Sequence, residues 1–212
     1  MATKHRIFLL VVLAVIIAAA GAVYSVLAPC HRGEEAVVLD IYPNTSLSYV
    51  RQQLGGGIGF DLACRIFKYE KPRTGHYVIP ARTSWLDAVR MLHNHKQQPI
   101  RLILPSLRTL NHLAAFLGEK LMADSADFAS AFHSAALLDS IGYTEETLPS
   151  LFIPNTYEVW WDISVPSFIG RMLREHDTFW NNERISFARQ QGLTPVEVAT
   201  LASIIDEETA NN

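Results

Sequence analysis

Apolar positions along this chain change their spacing from segment to segment, and each change predicts a different element. From Ile7 to Pro29 no charged residue interrupts the sequence, and Ile7 through Ile17 is apolar throughout. A run of that length is sufficient to cross a bilayer as a helix. Lys4 and Arg6 precede it, which predicts a cytoplasmic N-terminus over residues 1–6, a transmembrane helix over 7–29 and the remainder outside. Three other readings fit less well. A cleaved secretory signal has a shorter apolar region and a small-x-small exit, and Leu27-Ala28-Pro29 offers neither. A lipoprotein anchor at Cys30 needs a small residue before the cysteine, where Pro29 stands. A buried core helix is not flanked in this way at a chain start.

After the run the spacing becomes that of short strands and short helices. Ala36–Ile41 reads as a strand, and Pro43-Asn44 turns it. Ser46–Leu54 has helical spacing that Gly55-Gly56-Gly57 stops, and a second short helix runs from Phe60 to Phe67. His76–Ile79 reads as a strand ending at Pro80. Thr83 is placed to cap the helix carrying Trp85, Ala88, Val89 and Leu92, and Pro99–Pro105 is another strand. The order β-α-α-β-α-β predicts a small α+β module over residues 36–105.

From Thr109 the texture turns helical. Leu110, Leu113, Ala114, Leu117 and Leu121 repeat at 3/4 spacing, and Asp124 or Ser125 starts the next helix through Phe128 and Phe132. Ser150–Trp161 is a Pro- and aromatic-rich segment between helices. It is either an aromatic plug in the core or a groove wall whose rings pack on sugar faces. Phe168, Met172 and Leu173 mark a helix ending near Trp180, and a basic-polar stretch leads on to Gly192. No long repeat and no low-complexity linker is visible.

The last helix is the most informative stretch. Thr194 caps it, Pro195 suits its first position, and Glu197 stands where a capping-box carboxylate reaches back. With that start fixed, Val198, Leu201, Ala202 and Ile205 form the apolar stripe at about 100° per residue. Glu207 points away from it. Asp206 lies over Ala199, Ala202 and Ser203, whereas Glu208 lies over Leu201, Ile204 and Ile205. Branched aliphatic neighbours desolvate a carboxyl and favour its protonated form. Such a group donates a proton to a leaving oxygen, as glycosidic cleavage requires. Glu208 is therefore the acid candidate, set against the plain alternative of a solvated acidic helix end.

Composition narrows the functional classes. Of 212 residues, 49% are hydrophobic and 18% charged, and the net charge of −3 gives no basic footprint for nucleic acid. Cys30 and Cys64 form no CxxC pair, and the histidines are scattered. His93 and His95, two apart on a helix, point away from each other rather than toward one metal.

These residues resemble a known family, the endolytic murein transglycosylases (the MltG or YceG-like family). The resemblance runs through the anchor, a LysM-like module with the strand Thr74-Gly75-His76-Tyr77-Val78-Ile79, the segment Phe152-Ile153-Pro154-Asn155-Thr156-Tyr157, and Leu201 through Thr209. Aligned on Ala202-Ser203-Ile204, the family's catalytic glutamate falls on Glu208, and the family's first acidic position is Asp206 here. The resemblance implies endolytic cleavage of MurNAc–GlcNAc β-1,4 bonds in peptidoglycan, leaving 1,6-anhydro-MurNAc ends and limiting strand length. It implies substrate contacts at Asn155, Tyr157 and Glu158, no metal or organic cofactor, and action beside peptidoglycan synthases at the cell inner membrane. Family members continue past this helix, so residues 106–212 read as the N-terminal part of a catalytic domain, in a C-terminally truncated fragment expected to be inactive alone. The competing expectation is a non-catalytic, anchored peptidoglycan-binding or scaffold protein. A single-pass sensor has little support, since only residues 1–6 precede the anchor.

Overall fold

The computed structural model describes residues 2–31, 33–106 and 109–210, a mixed α+β chain that divides into two compact units, Met1–Gln98 and Pro99–Asn212. The first unit opens with α1 (Ala2–Leu27). Its span Lys4–Leu27 is long and apolar enough to cross a membrane. There follow β1 (Val37–Ile41), α2 (Leu47–Gln53), α3 (Ile58–Phe67), β2 (Gly75–Ile79) and α4 (Trp85–His93). The caps explain the helix starts. Ser46 Oγ accepts from the Tyr49 amide and Ser84 Oγ from the Asp87 amide. The cap of α4 is therefore Ser84 rather than Thr83, whose hydroxyl instead donates to the Pro80 carbonyl at 2.7 Å. Gly55 ends the α2 segment with a φ of +64°, in the left-handed region where a glycine carries no steric penalty.

β1 and β2 pair antiparallel, Leu39 opposite Tyr77 and Ile41 opposite Gly75. Their inner residues Leu39, Ile41, Tyr77 and Ile79 meet Val50, Phe60, Ala63, Ala88, Val89 and Leu92 from the helices in one core. Each large member contributes about 1.5–3 kcal/mol by leaving water.

The second unit contains β3 (Ile100–Leu104), α5 (Leu110–Lys120), α6 (Ser125–Phe132), α7 (Ala135–Ile141), a 3-10 turn at Leu148–Leu151, β4 (Asn155–Val159), α8 (Val165–Phe179), α9 (Asn182–Gln190) and α10 (Pro195–Ala210). Asp124 caps α6 in a full capping box with Asp127. The core gathers Leu102, Leu104, Leu113, Leu117, Tyr157, Ile169 and Met172 around Phe128, Phe132, Phe152 and Phe168. Phe128 meets Phe168 edge-on at 5.7 Å, and Phe132 meets Phe152 in the same way at 5.4 Å.

Three sequence expectations change here. The strand at 100–104 forms, but it pairs antiparallel with β4, Leu102 opposite Tyr157, rather than joining the first unit's sheet. The small unit is thus β-α-α-β-α and closes at Gln98 instead of running to 105. The aromatic segment contains a strand, and the polar stretch before Gly192 is helix α9.

The third change is a repeat that residue identity marks only at scattered positions. One constant offset relates Leu39, Ile41, Val50 and Leu54 to Leu102, Leu104, Leu113 and Leu117, together with the caps Ser46 and Thr109. A second offset relates Tyr77, Ile79, Ser84, Ala88, Val89 and Leu92 to Tyr157, Val159, Ser164, Phe168, Ile169 and Met172. Every apolar member of both sets is buried. Both tyrosines donate to the carbonyl four residues back, Tyr77 to Arg73 at 3.0 Å and Tyr157 to Ile153 at 2.6 Å. The two units share a β-α-α-β-α plan, and the second inserts α7 and the 3-10 turn before its second strand.

Candidate active site

The helix that carries the acidic candidates starts as its sequence dictates. Thr194 Oγ1 accepts from the Glu197 amide at 3.3 Å, and Glu197 Oε2 accepts from the Thr194 amide at 2.7 Å. The Thr194 amide, and then the Thr194 hydroxyl donating to the same Oε2 at 2.8 Å, hold the Glu197 carboxyl below its ordinary range. α10 packs against α9 and against the 3-10 turn at Leu148–Leu151, the turn that leads into the β4 segment. Its first turns are half-buried at Val196, Val198 and Ala199.

Further along, the environment differs from the sequence expectation. Leu201, Ile204 and Ile205 are between 45% and 63% exposed, and Glu208 and Asp206 are exposed as well. The aliphatic neighbours expected to desolvate Glu208 stand in water themselves. Helical phase predicts which side chains share a face, but cover must come from another element, and the described residues provide none there. The Glu207 side chain lies outside the described residues.

The segment from Asn155 to Glu158 divides between two faces of the β3–β4 sheet. Asn155 is exposed at the start of β4, with its Oδ1 accepting from the Thr156 amide at 2.7 Å. Glu158 is exposed on the open face, across from Arg101, and Thr156 and Ile103 form the next cross-strand pair. Tyr157 points the other way. It is 4% exposed, its hydroxyl donates to the Ile153 carbonyl, and burial raises its pKa above the usual phenol range. Its geometry is that of a core residue that fixes the chain before the strand.

One feature had no signature in the sequence. In the first unit α2, α3 and the turn after α3 enclose an open cleft of about 500 Å³. Its floor is Leu47, Phe60, Cys64 and Tyr69, and its rim carries Arg51, Asp61, Arg65, Lys68 and Glu70. The Arg51 guanidinium bridges the helices through two bonds to Asp61, at 2.9 and 3.2 Å. An apolar floor under a charged rim suits a ligand with both ring faces and polar edges. The lining residues are scattered between Leu47 and Glu70, and only the packing of α2 on α3 brings them together.

Fold and site together define a two-unit α+β protein behind an apolar N-terminal helix, with its acidic candidates at the end of the last helix. The sequence model of the YceG-like family matches residues 39–212, and the chain belongs to that family. No curated protein matches it. Among solved structures it is similar to a yceG-like protein of Listeria monocytogenes, at 17% identity and a TM-score of 0.42. That match covers 77% of this chain and 61% of the Listeria chain, so the chain spans about three-fifths of that relative's length.

Proposed function

We propose that the chain belongs to a membrane-anchored peptidoglycan lytic transglycosylase that cleaves MurNAc–GlcNAc β-1,4 bonds. α1 is a membrane span with its N-terminus in the cytoplasm, and Glu208 is the acid and base. The observation that carries this reading is membership of the YceG-like family through residue 212, a match that includes the whole of the helix bearing Glu208. In the first half of the reaction the Glu208 carboxylic acid gives its proton to the departing glycosidic oxygen as the C1–O bond breaks. In the second, the 6-hydroxyl of the same MurNAc forms the new bond to C1 and its proton passes to the Glu208 carboxylate. One carboxyl serves both halves, where a hydrolase would use a second carboxylate and a water.

Because Glu208 is exposed, its acid role depends on cover arriving over Leu201, Ile204 and Ile205. A glycan strand laid against that face removes water from the carboxyl and favours the protonated form. Asn155 and Glu158 are the residues assigned to sugar hydroxyls.

A second reading, an anchored peptidoglycan-binding or scaffold protein, is favoured by the cleft in the first unit and by the exposure of Glu208. One experiment separates the two. Protein produced from the intact gene, and its Glu208→Gln variant, are incubated with sacculi and the soluble products are resolved by mass spectrometry. The enzyme reading predicts anhydro-MurNAc ends with the unchanged protein and their loss with the variant, while both bind sacculi. Equal activity of the two removes Glu208 from the mechanism, and binding without any cleavage supports the scaffold.

A further inference from the structure

The N-terminal helix does not end in a tether. Its last turns are packed into the first unit: Val26 is part of that unit's core, and α1 touches both α3 and α4. A Cβ placed on Gly59 would fall 2.3 Å from the Ser25 carbonyl oxygen and 2.5 Å from Cδ1 of Trp85, so α3 crosses α1 with backbone nearly in contact. Immediately beyond, two backbone bonds strap the chain to the start of α4, Trp85 N–H to the Ala28 carbonyl at 3.1 Å and Cys30 N–H to the Thr83 carbonyl at 2.8 Å. The body of the first unit is fixed to the helix at the level of Ser25.

Length then sets where that level lies. At 1.5 Å per residue a hydrocarbon core of about 30 Å takes about 20 residues. Lys4 and Arg6 hold the cytoplasmic end, so a core that begins at Ile7 ends near Val26, inside the zone already packed against α3. Tilt shortens the projected span and moves the edge further toward Leu27. Surface chemistry agrees. On the side of α1 turned away from Ser25, Tyr24 is 76% exposed and Leu27 is 58% exposed. Ile58, beside the crossing at the N-terminus of α3, is 72% exposed. If the unit stood clear of the membrane, all three would be bare in water. A tyrosine at the end of an apolar span is at home among lipid headgroups.

The geometry points to a lipid-contacting face on the first unit: the N-terminus of α3, led by Ile58, rests in the outer interfacial layer of the bilayer, within a helical turn of the level of Tyr24 and Leu27 on α1. This rests on the reading of α1 as a membrane span. It makes the unit a seated body of fixed orientation, with β1, β2 and the α2–α3 cleft held at a set height above the lipid.

The test is depth-dependent quenching in phosphatidylcholine–phosphatidylglycerol vesicles, with a polarity-sensitive fluorophore on single cysteines. Ile16→Cys reports the anchor and Ile58→Cys reports the seat, each in a Cys30→Ser, Cys64→Ala background. We expect the label at 16 near the bilayer centre and the label at 58 in the interfacial layer, about 15–20 Å from it. A label at 16 near the centre with the label at 58 in water, beyond about 20 Å, keeps the anchor and overturns the seat. A label at 16 outside the hydrocarbon overturns both. Should the cysteine-free background not fold, a benzoylphenylalanine at position 58 of the native chain decides. Lipid adducts on irradiation support the seat, and their absence refutes it.

Discussion

Replacing Gly59 by alanine tests the helix crossing that fixes the anchor to its unit. On helical propensity alone the change stabilises, since alanine is favoured over glycine by about 1 kcal/mol inside a helix. Against that, the new methyl must escape contacts of 2.3 Å with the Ser25 carbonyl oxygen and 2.5 Å with the Trp85 ring. Ordinary contacts begin about 1 Å further out, and the nearer atom is backbone that cannot swing aside. Overpacking of this kind costs about 1–3 kcal/mol. Separating α1 from α3 also uncovers part of Val26, whose full burial is worth about 1.5–3 kcal/mol. The net expectation is about 1–3 kcal/mol of local destabilisation. Amide exchange of residues 58–67 in detergent-solubilised protein reads that energy directly, as exchange about 5- to 150-fold faster in the variant. Unchanged or slower exchange would mean that propensity wins, and that the crossing is looser than described.

Other expectations follow from single contacts. Tyr77→Phe and Tyr157→Phe each remove one bond to a carbonyl four residues back, and each should lower the stability of its own unit by about 1 kcal/mol, read by limited proteolysis of each unit in urea. A loss confined to one of the two positions would argue against equivalent roles for the tyrosines. Burial pushes the Cys64 thiol up to about 11 from 9.0, with Asp61 adding to the shift. The folded value exceeds the unfolded one, so the neutral thiol's contribution is complete below pH 9 and is lost as pH rises through about 11. Alkylation of Cys64 should accordingly be slow at neutral pH and climb only in strong alkali; fast modification at pH 8 would contradict its burial.

What the sequence revealed depended on whether the signal was local. The anchor run, β1, β2, the helix starts at Ser46, Thr109 and Asp124, and the Thr194–Glu197 box are each written within a few residues, and all of them form. Thr83 and Ser84 are adjacent capping types, and sequence pattern cannot choose between them by one residue. β4 escaped notice because its alternation is short and sits between Pro154 and Trp160-Trp161, which read as loop. Its partner β3 lies far back in the chain, and only the pairing identifies the strand. The repeated plan was hidden because corresponding positions keep burial while changing size, as Ala88 and Phe168 do. At the candidate site, helical phase groups Glu208 with Leu201, Ile204 and Ile205 along α10. It said nothing about what covers them, and that is where the desolvation argument gave way.

The central chemical claim is that the sugar's own hydroxyl, rather than water, closes on C1 while Glu208 carries the proton. Digesting sacculi in water enriched in oxygen-18, with protein from the intact gene, tests it in one mass spectrum. The account predicts products one water lighter than hydrolytic fragments and free of the heavy isotope at C1. Oxygen-18 at the new MurNAc reducing end would contradict it.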